Sequence, residues 1–259
     1  MVLAVDIGNS YIKFAVFDET DAVRSFFSIS SYPLRSADEY RLLIKQFLCE
    51  DDTDISLECA VISSVVPSIT LPISNAVSRL TGKRPFIIGA GTHTGFRIKI
   101  NESSELGADI VSNVAAARTL YSNPIVIIDA GTATTLTAVD SNGDVIGTII
   151  HPGIKICSDV LSRSAAQLTD VVLSYNNKLI GQNSTESIQS GLINGHSSMI
   201  DGLISKIRAQ LCTDGTSLSI VATGDYAELV IPYCSEKIDI VGDLTMRGSI
   251  ILYRMNKRK

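Results

Sequence analysis

The chain of 259 residues contains no apolar run approaching the roughly 18 residues of a membrane-spanning helix. It also lacks a leader-like start: Met1-Val-Leu-Ala-Val runs straight into Asp6, with neither a basic segment nor a long apolar one. These absences predict a cytoplasmic protein that does not act at a membrane. Positive charge is scarce as well. Lys and Arg number 22 against 27 Asp and Glu, a net charge of -5, so the basic footprint of a nucleic-acid binder is missing. The basic end from Arg254 to Lys259 reads as a solvated tail. The five cysteines, Cys49, Cys59, Cys157, Cys212 and Cys234, lie far apart with no Cys-x-x-Cys, the pattern of reduced thiols buried as small hydrophobes. His93, His151 and His196 have no ligand partner at helical or hairpin spacing, which argues against a zinc site. With 45% hydrophobic and 19% charged residues, the chain predicts a compact globular protein of one large domain or two lobes.

What the sequence does contain, it contains twice. Val-Leu-Ala-Val-Asp6-Ile-Gly8-Asn9-Ser10 opens the chain, and Ile-Val-Ile-Ile-Asp129-Ala-Gly131-Thr132-Ala-Thr134 stands in its middle. Each copy is an apolar run, an aspartate, one spacer, a glycine, and small hydroxyl or amide residues. A second apolar run follows each, Ile12 to Phe17 and Leu136 to Val139, closing on Asp18 and Asp140. The pattern predicts two β-hairpins with polar turns. A buried strand ending in Asp-x-Gly sets a carboxylate at the sheet edge and lets bare backbone N–H groups approach an anion. Two such turns can hold a nucleotide triphosphate and its metal. Either copy alone reads as an ordinary hairpin; the pair, in the same register, favours the phosphate reading.

Around the hairpins the chain alternates strands and helices. Ala22 to Ser30 predicts a third strand, and Ser36-Ala-Asp-Glu39 a capping box ahead of an amphipathic helix carrying Tyr40, Leu43, Ile44, Phe47 and Leu48. Leu57 to Val65 reads as a buried strand, Pro67 to Leu80 as a helix, and Lys83 to Ile88 as a strand. Gly89 to Ser104 reads as loop with one short strand at Phe96 to Ile100. A helix from Asp109 places Val111, Val114, Ala115 and Leu120 on one face. A lobe boundary is expected after Asn123, dividing the chain into 1–123 and 124–259 with no low-complexity linker between. In the second lobe a strand is expected at Val145 to Ile150, helices at Lys155 to Gln167 and Thr185 to Leu211, and strands at Ser217 to Thr223 and Ile238 to Val241. Gly191, Gly195 and Gly202 within the longer helix suggest close helix packing, since each costs about 1 kcal/mol relative to alanine.

A hairpin with an acidic residue closing its first strand, repeated in a second lobe, resembles the acetate and sugar kinase, Hsp70 and actin superfamily. Within it the particular strings resemble the type III pantothenate kinases, over almost the whole chain and in the family's order. Asp6-Ile-Gly-Asn-Ser10 resembles the first phosphate motif, Leu106-Gly107-Ala108-Asp109 the substrate motif, and Asp129-Ala-Gly-Thr132-Ala-Thr134 the second phosphate motif. Gly147-Thr-Ile-Ile-His-Pro152-Gly153 resembles the segment that follows. Gly181-Gln-Asn183-Ser184-Thr-Glu-Ser187-Ile-Gln-Ser-Gly191 resembles the later Gly-x-Asn-Thr block, and Thr223-Gly224 the adenosine-side turn. The resemblance implies an α/β fold of two similar ribonuclease H-like lobes with a nucleotide cleft between them. It implies transfer of the ATP γ-phosphoryl group to pantothenate, the opening of coenzyme A synthesis, by a cytoplasmic homodimer whose acceptor pocket lies near the subunit interface. ATP would be held by Asp6, Ile7, Gly8, Asn9, Ser10, Tyr11, Ile12 and Lys13 together with Gly131 and Thr132, and Mg²⁺ by Asp6 through water. A monovalent cation, K⁺ or NH₄⁺, would bind at Asp129. Pantothenate would meet Ile100, Gly107, Ala108, Asp109, Ile110 and Ser184, with Asp109 as general base. Lys13 reads equally as a solvated strand lysine, and Asp109 also as a helix N-cap.

The chain departs from the family pattern chiefly on the acceptor side. Ile110 stands where the substrate motif has arginine, whose bidentate fork isoleucine cannot imitate. Ile100 replaces a frequent tyrosine, and Glu102-Ser103 replaces Asn-Pro. Ser10 and Ser184 replace threonines, and Asp225 follows Gly224 where a second glycine is usual. Arg97, Lys99 and Lys155 are candidates for a substitute cation. These changes leave two other readings beside the pantothenate kinase. One is a nucleotide-binding, kinase-like accessory protein acting through a partner; the other is a kinase for a less polar acceptor.

Overall fold

The computed structural model describes residues 1–50, 56–102, 106–164, 171–175, 178–213 and 215–257. The predicted position of Ser103 and the predicted end of the helix at 165–167 lie outside them. The chain falls into two compact units, one of Met1–Gly95, Asn101–Thr119 and Asp243–Lys259, the other of Phe96–Ile100 and Leu120–Gly242. The units are not two consecutive halves, because the last segment of the chain returns to the first unit and Phe96–Ile100 joins the second.

The first unit is built on a sheet in the order β3-β2-β1-β4-β5, from β1 (Val2–Ile7), β2 (Tyr11–Phe17), β3 (Val23–Ser30), β4 (Cys59–Ser64) and β5 (Phe86–Ile87). β1 pairs antiparallel with β2 and parallel with β4, and β2 pairs antiparallel with β3. The central strand is apolar on both faces from Val2 to Val5, because both faces are covered, and is interrupted only by Asp6 near its end; the edge strand β3 is mostly exposed. On one face lie α1 (Ala37–Glu50) and α2 (Pro67–Thr81), which bring Tyr40, Ile44, Ile69 and Ile73 against Leu3, Val5, Ile7, Ile12 and Phe14. The capping box forms as predicted: Ser36 N–H and Oγ donate to the Glu39 carboxylate at 2.7 and 2.8 Å, and Glu39 N–H returns to Ser36 Oγ at 3.3 Å.

A helix that the sequence reading did not anticipate, α7 (Leu244–Lys257), packs on β1 and β4. As far as Lys257 the basic end is no solvated tail, since Arg254 donates to Asp21 at 2.7 Å and Lys257 to Glu58 at 2.7 Å; residues 258–259 lie outside the described residues. α7 also meets α3 (Ala108–Leu120) at close range. A Cβ at Gly248 would overlap the Ser112 backbone, and Thr245 Oγ1 donates to Asn113 at 2.8 Å. Glycine lets two helix backbones approach this closely because it carries no side chain at the crossing. Val111, Val114 and Ala115 are buried as expected; Leu120 is exposed, because it ends the helix at the point where the chain passes to the second unit.

The second unit repeats the plan. Its sheet runs β10-β9-β6-β7-β8, from β6 (Ile125–Ala130), β7 (Ala133–Val139), β8 (Val145–Pro152), β9 (Ser219–Thr223) and β10 (Asp239–Ile240). β6, β7 and β8 are antiparallel, while β9 runs parallel to β6 and β10 parallel to β9. The predicted strand at Phe96 to Ile100 is reduced to a single bridge of Ile98 to Val145. α5 (Ser184–Leu211) lays Ile193, Ile200, Ile204 and Ile207 on Val126, Ile128 and Leu136, alongside α4 (Ile154–Ser164) and the short α6 (Ala227–Val230). Among the described residues nothing packs on the α5 glycines. A Cβ at Gly191, Gly195 or Gly202 would meet nothing within 4 Å, because all three lie on the outward face. Among the described residues no helix is long and apolar enough to cross a membrane.

Candidate active site

Both predicted hairpin turns form, each at the end of the central strand of its sheet. In the first, Gly8 N–H donates to Tyr11 O at 3.0 Å and closes a turn through Asn9 and Ser10. Asp6 sits one residue before the strand's end, directly across from Lys13 on β2. Ile7 and Ile12 are fully buried, so any contact they make with a nucleotide is left to their backbone. Tyr11 is largely exposed. A Cβ at Gly8 would come 3.1 Å from Tyr11 O, tight but not overlapping.

The second turn is one residue shorter. Gly131 N–H donates to Ala133 O at 3.0 Å, with Thr132 alone at the tip. Asp129 lies across from Thr135, in the place Asp6 holds in the first hairpin. Two glycines pack on this turn from outside. Gly153 donates its N–H to Thr132 O at 3.1 Å, and a Cβ there would overlap the carbonyls of Gly131 and Thr132. Gly224 has φ of 101°, and a Cβ there would lie 2.6 Å from the Ala130 backbone and from Asp129 Oδ1. Glycine at 224 is thus required twice over, by conformation and by space. Asp225, the next residue, does not adopt the left-handed region, so the family's second glycine is not demanded there by backbone conformation. Thr134 is buried and bonded to His196 Nε2 at 2.8 Å, which ties the hairpin to α5. Burial holds the His196 imidazole at a pKa of about 4, with the nearby His151 adding to the effect, so the ring is neutral.

Asp109 lies in the first turn of α3, not at its N-cap. The cap is Gly107, whose carbonyl accepts from Val111 N–H at 3.1 Å. Asp109 Oδ1 takes the Ile110 N–H at 2.8 Å. Burial pushes the Asp109 carboxyl above its ordinary range, against the pull of the Ile110 and Asp109 backbone N–H groups. The start of α3 is anchored beside the first turn: a Cβ at Gly107 would meet the Val65 side chain at 3.4 Å, and Val65 N–H donates to Ile7 O at 3.1 Å. Asp6 to Lys13 and Gly107 to Ile110 therefore share the first unit. Ile100, Asp129, Gly131, Thr132 and Ser184 belong to the second.

The block around Ser184 is a capped helix start. Asn183 Oδ1 accepts Glu186 N–H at 2.9 Å, and Glu186 accepts Gln182 N–H at 2.8 Å and Lys178 at 2.9 Å. Gly181 is needed because a Cβ would overlap the Ser187 backbone. Ser184 is exposed at the head of α5 and lines an open groove of about 720 Å³ with Cys157, Leu161, Gln182, Asn183 and Ser187. Two of the candidate substitute cations are engaged elsewhere. Lys99 bonds Asp140 at 2.7 Å and Asp144 at 3.1 Å, and Lys155 pairs with Asp159 one helical turn on.

Among the described residues no group of three or more His, Cys, Asp or Glu side chains could cage a metal. The single carboxylates at the two turns fit a hard cation that draws its remaining ligands from water and phosphate oxygens, as Mg²⁺ does with nucleotides.

A family model described as type III pantothenate kinase matches residues 2–206. A type III pantothenate kinase from Exiguobacterium sibiricum is 34% identical over 259 residues, covering 99% of this chain and 100% of that protein. Solved structures are similar at the level of the fold. A candidate Baf family transcriptional activator from Campylobacter jejuni aligns with a TM-score of 0.60 at 20% identity, over 99% of this chain and 100% of the other. A ROK family glucokinase from Streptomyces griseus, in complex with glucose and AMPPNP, aligns with a TM-score of 0.51 at 13% identity, over 98% and 99%.

Proposed function

The chain belongs to the type III pantothenate kinase family, and on that premise we propose how its residues divide the work of phosphorylating pantothenate in coenzyme A biosynthesis. The family uses ATP, and phosphoryl transfer through a loose transition state asks a protein mainly for positioning and charge neutralisation. Mg²⁺, when bound, neutralises phosphate charge, and Asp6 would hold it through water. The backbone N–H groups and small side chains of Gly8, Asn9 and Ser10 would orient the phosphates, and Gly131 and Thr132 offer donors of the same kind. Asp129 would hold the monovalent cation. Gly107, Ala108 and Ile110 would contact the acceptor, and by the family's pattern Ile100 and Ser184 are acceptor contacts as well.

Asp109 would accept the proton of the attacking primary hydroxyl as oxygen bonds to the γ-phosphorus and the bond to the leaving diphosphate oxygen breaks. The observation that carries this reading is the half-buried Asp109 carboxyl, raised above its ordinary range at a helix start anchored beside the first turn. A base must be ionised to act, so activity falls as pH drops through a raised pKa. The acid limb of kcat/KM for pantothenate should therefore lie above the ordinary aspartate range and vanish in Asp109→Asn. A profile without that limb would contradict the assignment.

A homodimer fits the same reading. Ile150, Val160, Leu179 and Ile180 are exposed on the second unit, and the α5 glycines face open space. On a free helix Gly191→Ala should stabilise by about 1 kcal/mol. At an interface between copies it should instead weaken the dimer in sedimentation velocity. A higher melting temperature with unchanged association would remove α5 from the interface.

A further inference from the structure

Ser31 is the residue that follows β3, and it is buried completely between two exposed neighbours, Ser30 and Tyr32. A small polar side chain in that position adds little to the apolar core. Its hydrogen bonds say what it does: Ser31 Oγ donates to Gly8 O at 2.7 Å, and Ser31 N–H donates to Ser10 O at 3.0 Å. One residue thus takes two carbonyls of the first phosphate turn.

We propose that Ser31 is a positioning residue for phosphate binding, holding the carbonyls of Gly8 and Ser10 on the buried side, at the end of β3, so that the N–H groups of the turn face the nucleotide. The inference rests on the reading of this turn as a phosphate site. In a trans peptide the C=O of one residue and the N–H of the next point in opposite directions. Fixing Gly8 O on Ser31 aims the Asn9 N–H away from it, and fixing Ser10 O does the same for the Tyr11 N–H. A turn whose carbonyls were free to rotate toward an anion would present negative ends to it.

The second unit supplies an internal control. Gly153 follows β8 as Ser31 follows β3, and its N–H takes Thr132 O at 3.1 Å, the counterpart of the bond to Ser10 O. There the Gly131 and Thr132 carbonyls fill the space of a Cβ, so no side chain can add a second bond. In the first turn the Gly8 carbonyl stands within reach of the Ser31 side chain, and its hydroxyl takes it.

The test compares Ser31→Ala, and the isosteric pair Ser31→Thr and Ser31→Val, in steady-state kinetics with ATP and pantothenate varied separately. Losing one buried hydrogen bond at the turn should raise KM for ATP about tenfold while KM for pantothenate stays within about twofold and thermal unfolding remains cooperative. Thr and Val have nearly the same volume, so the Thr variant should bind ATP more tightly than the Val variant if the hydroxyl is what matters. Equal ATP KM in Thr and Val, equal loss on both substrates, or an unchanged KM in Ser31→Ala would each overturn the proposal. Asp6→Asn separates two failures. If it raises KM for ATP while Ser31→Ala does not, only the role of Ser31 falls. If neither variant changes it, the phosphate reading of the turn falls as well.

Discussion

The two units present the same strand order, the same Asp-x-Gly turn and the same pairing, yet they hold their turns by different means. The first turn is longer and is fixed from outside by a side chain, Ser31. The second is shorter and is fixed by the absence of side chains, with Gly153 and Gly224 set against its backbone. A second pair of turns differs in the same spirit. After β2, the Asp18 carboxylate gathers the N–H groups of Thr20 and Ala22 at 2.8 and 3.1 Å; after β7, Asp140 gathers those of Asn142 and Asp144 at 2.9 and 3.0 Å. The left-handed position is Asp21 with φ of 64° in the first and Gly143 with φ of 80° in the second. A duplicated backbone plan therefore tolerates different solutions wherever one atom can do the work of another.

The comparison is most exposed at Gly153. Its replacement by alanine should force the second turn outward, costing about 1–3 kcal/mol in stability and a large share of ATP affinity, measurable by thermal unfolding and nucleotide titration. Gly8→Ala in the first turn should be milder, because its Cβ would stand 3.1 Å from a single carbonyl and its φ is outside the left-handed region. If the two substitutions cost the same, the contrast between the turns is wrong. A smaller effect is expected at the outer turn: Gly143→Asp, which copies Asp21, should cost about 1 kcal/mol and leave both KM values unchanged.

Much of this architecture could be read from the residues. The hairpins, the capping box and the strand–helix alternation follow from local periodicity and turn chemistry, while the two mixed α/β lobes are what the resemblance carried by the repeated hairpin implies. What could not be read depended on distant partners. Nothing local marks Gly248 as the crossing point of α7 with α3, because the constraint is the backbone of Ser112, far away in sequence. The basic end looked like a free tail because its acceptors, Asp21 and Glu58, lie near the other end of the chain. Ser31 was missed for the same reason: a serine after an edge strand looks solvated until the turn it holds is in place. The α5 glycines misled in the opposite direction, since spacing cannot tell whether a helix face meets a neighbour or open space.

The assignment of Asp109 also makes a prediction about stability. Its folded pKa is raised, so the folded state holds the proton more tightly than the unfolded chain, and stability falls as pH rises from the ordinary aspartate value through the raised one. Asp109→Asn should remove that cost at neutral pH and make no difference below both values. A variant that melts higher while losing activity would mark a carboxylate kept for chemistry at the expense of the fold.

The most direct measurement is transfer of labelled γ-phosphoryl from ATP to pantothenate by the purified protein, with Mg²⁺ and K⁺ present, beside Asp109→Asn. The predicted result is labelled phosphopantothenate from the native chain, and turnover reduced by about 10²–10⁴ in the variant with ATP still bound. Native protein that binds ATP but leaves pantothenate unlabelled, or a variant as active as the native chain, would contradict the account.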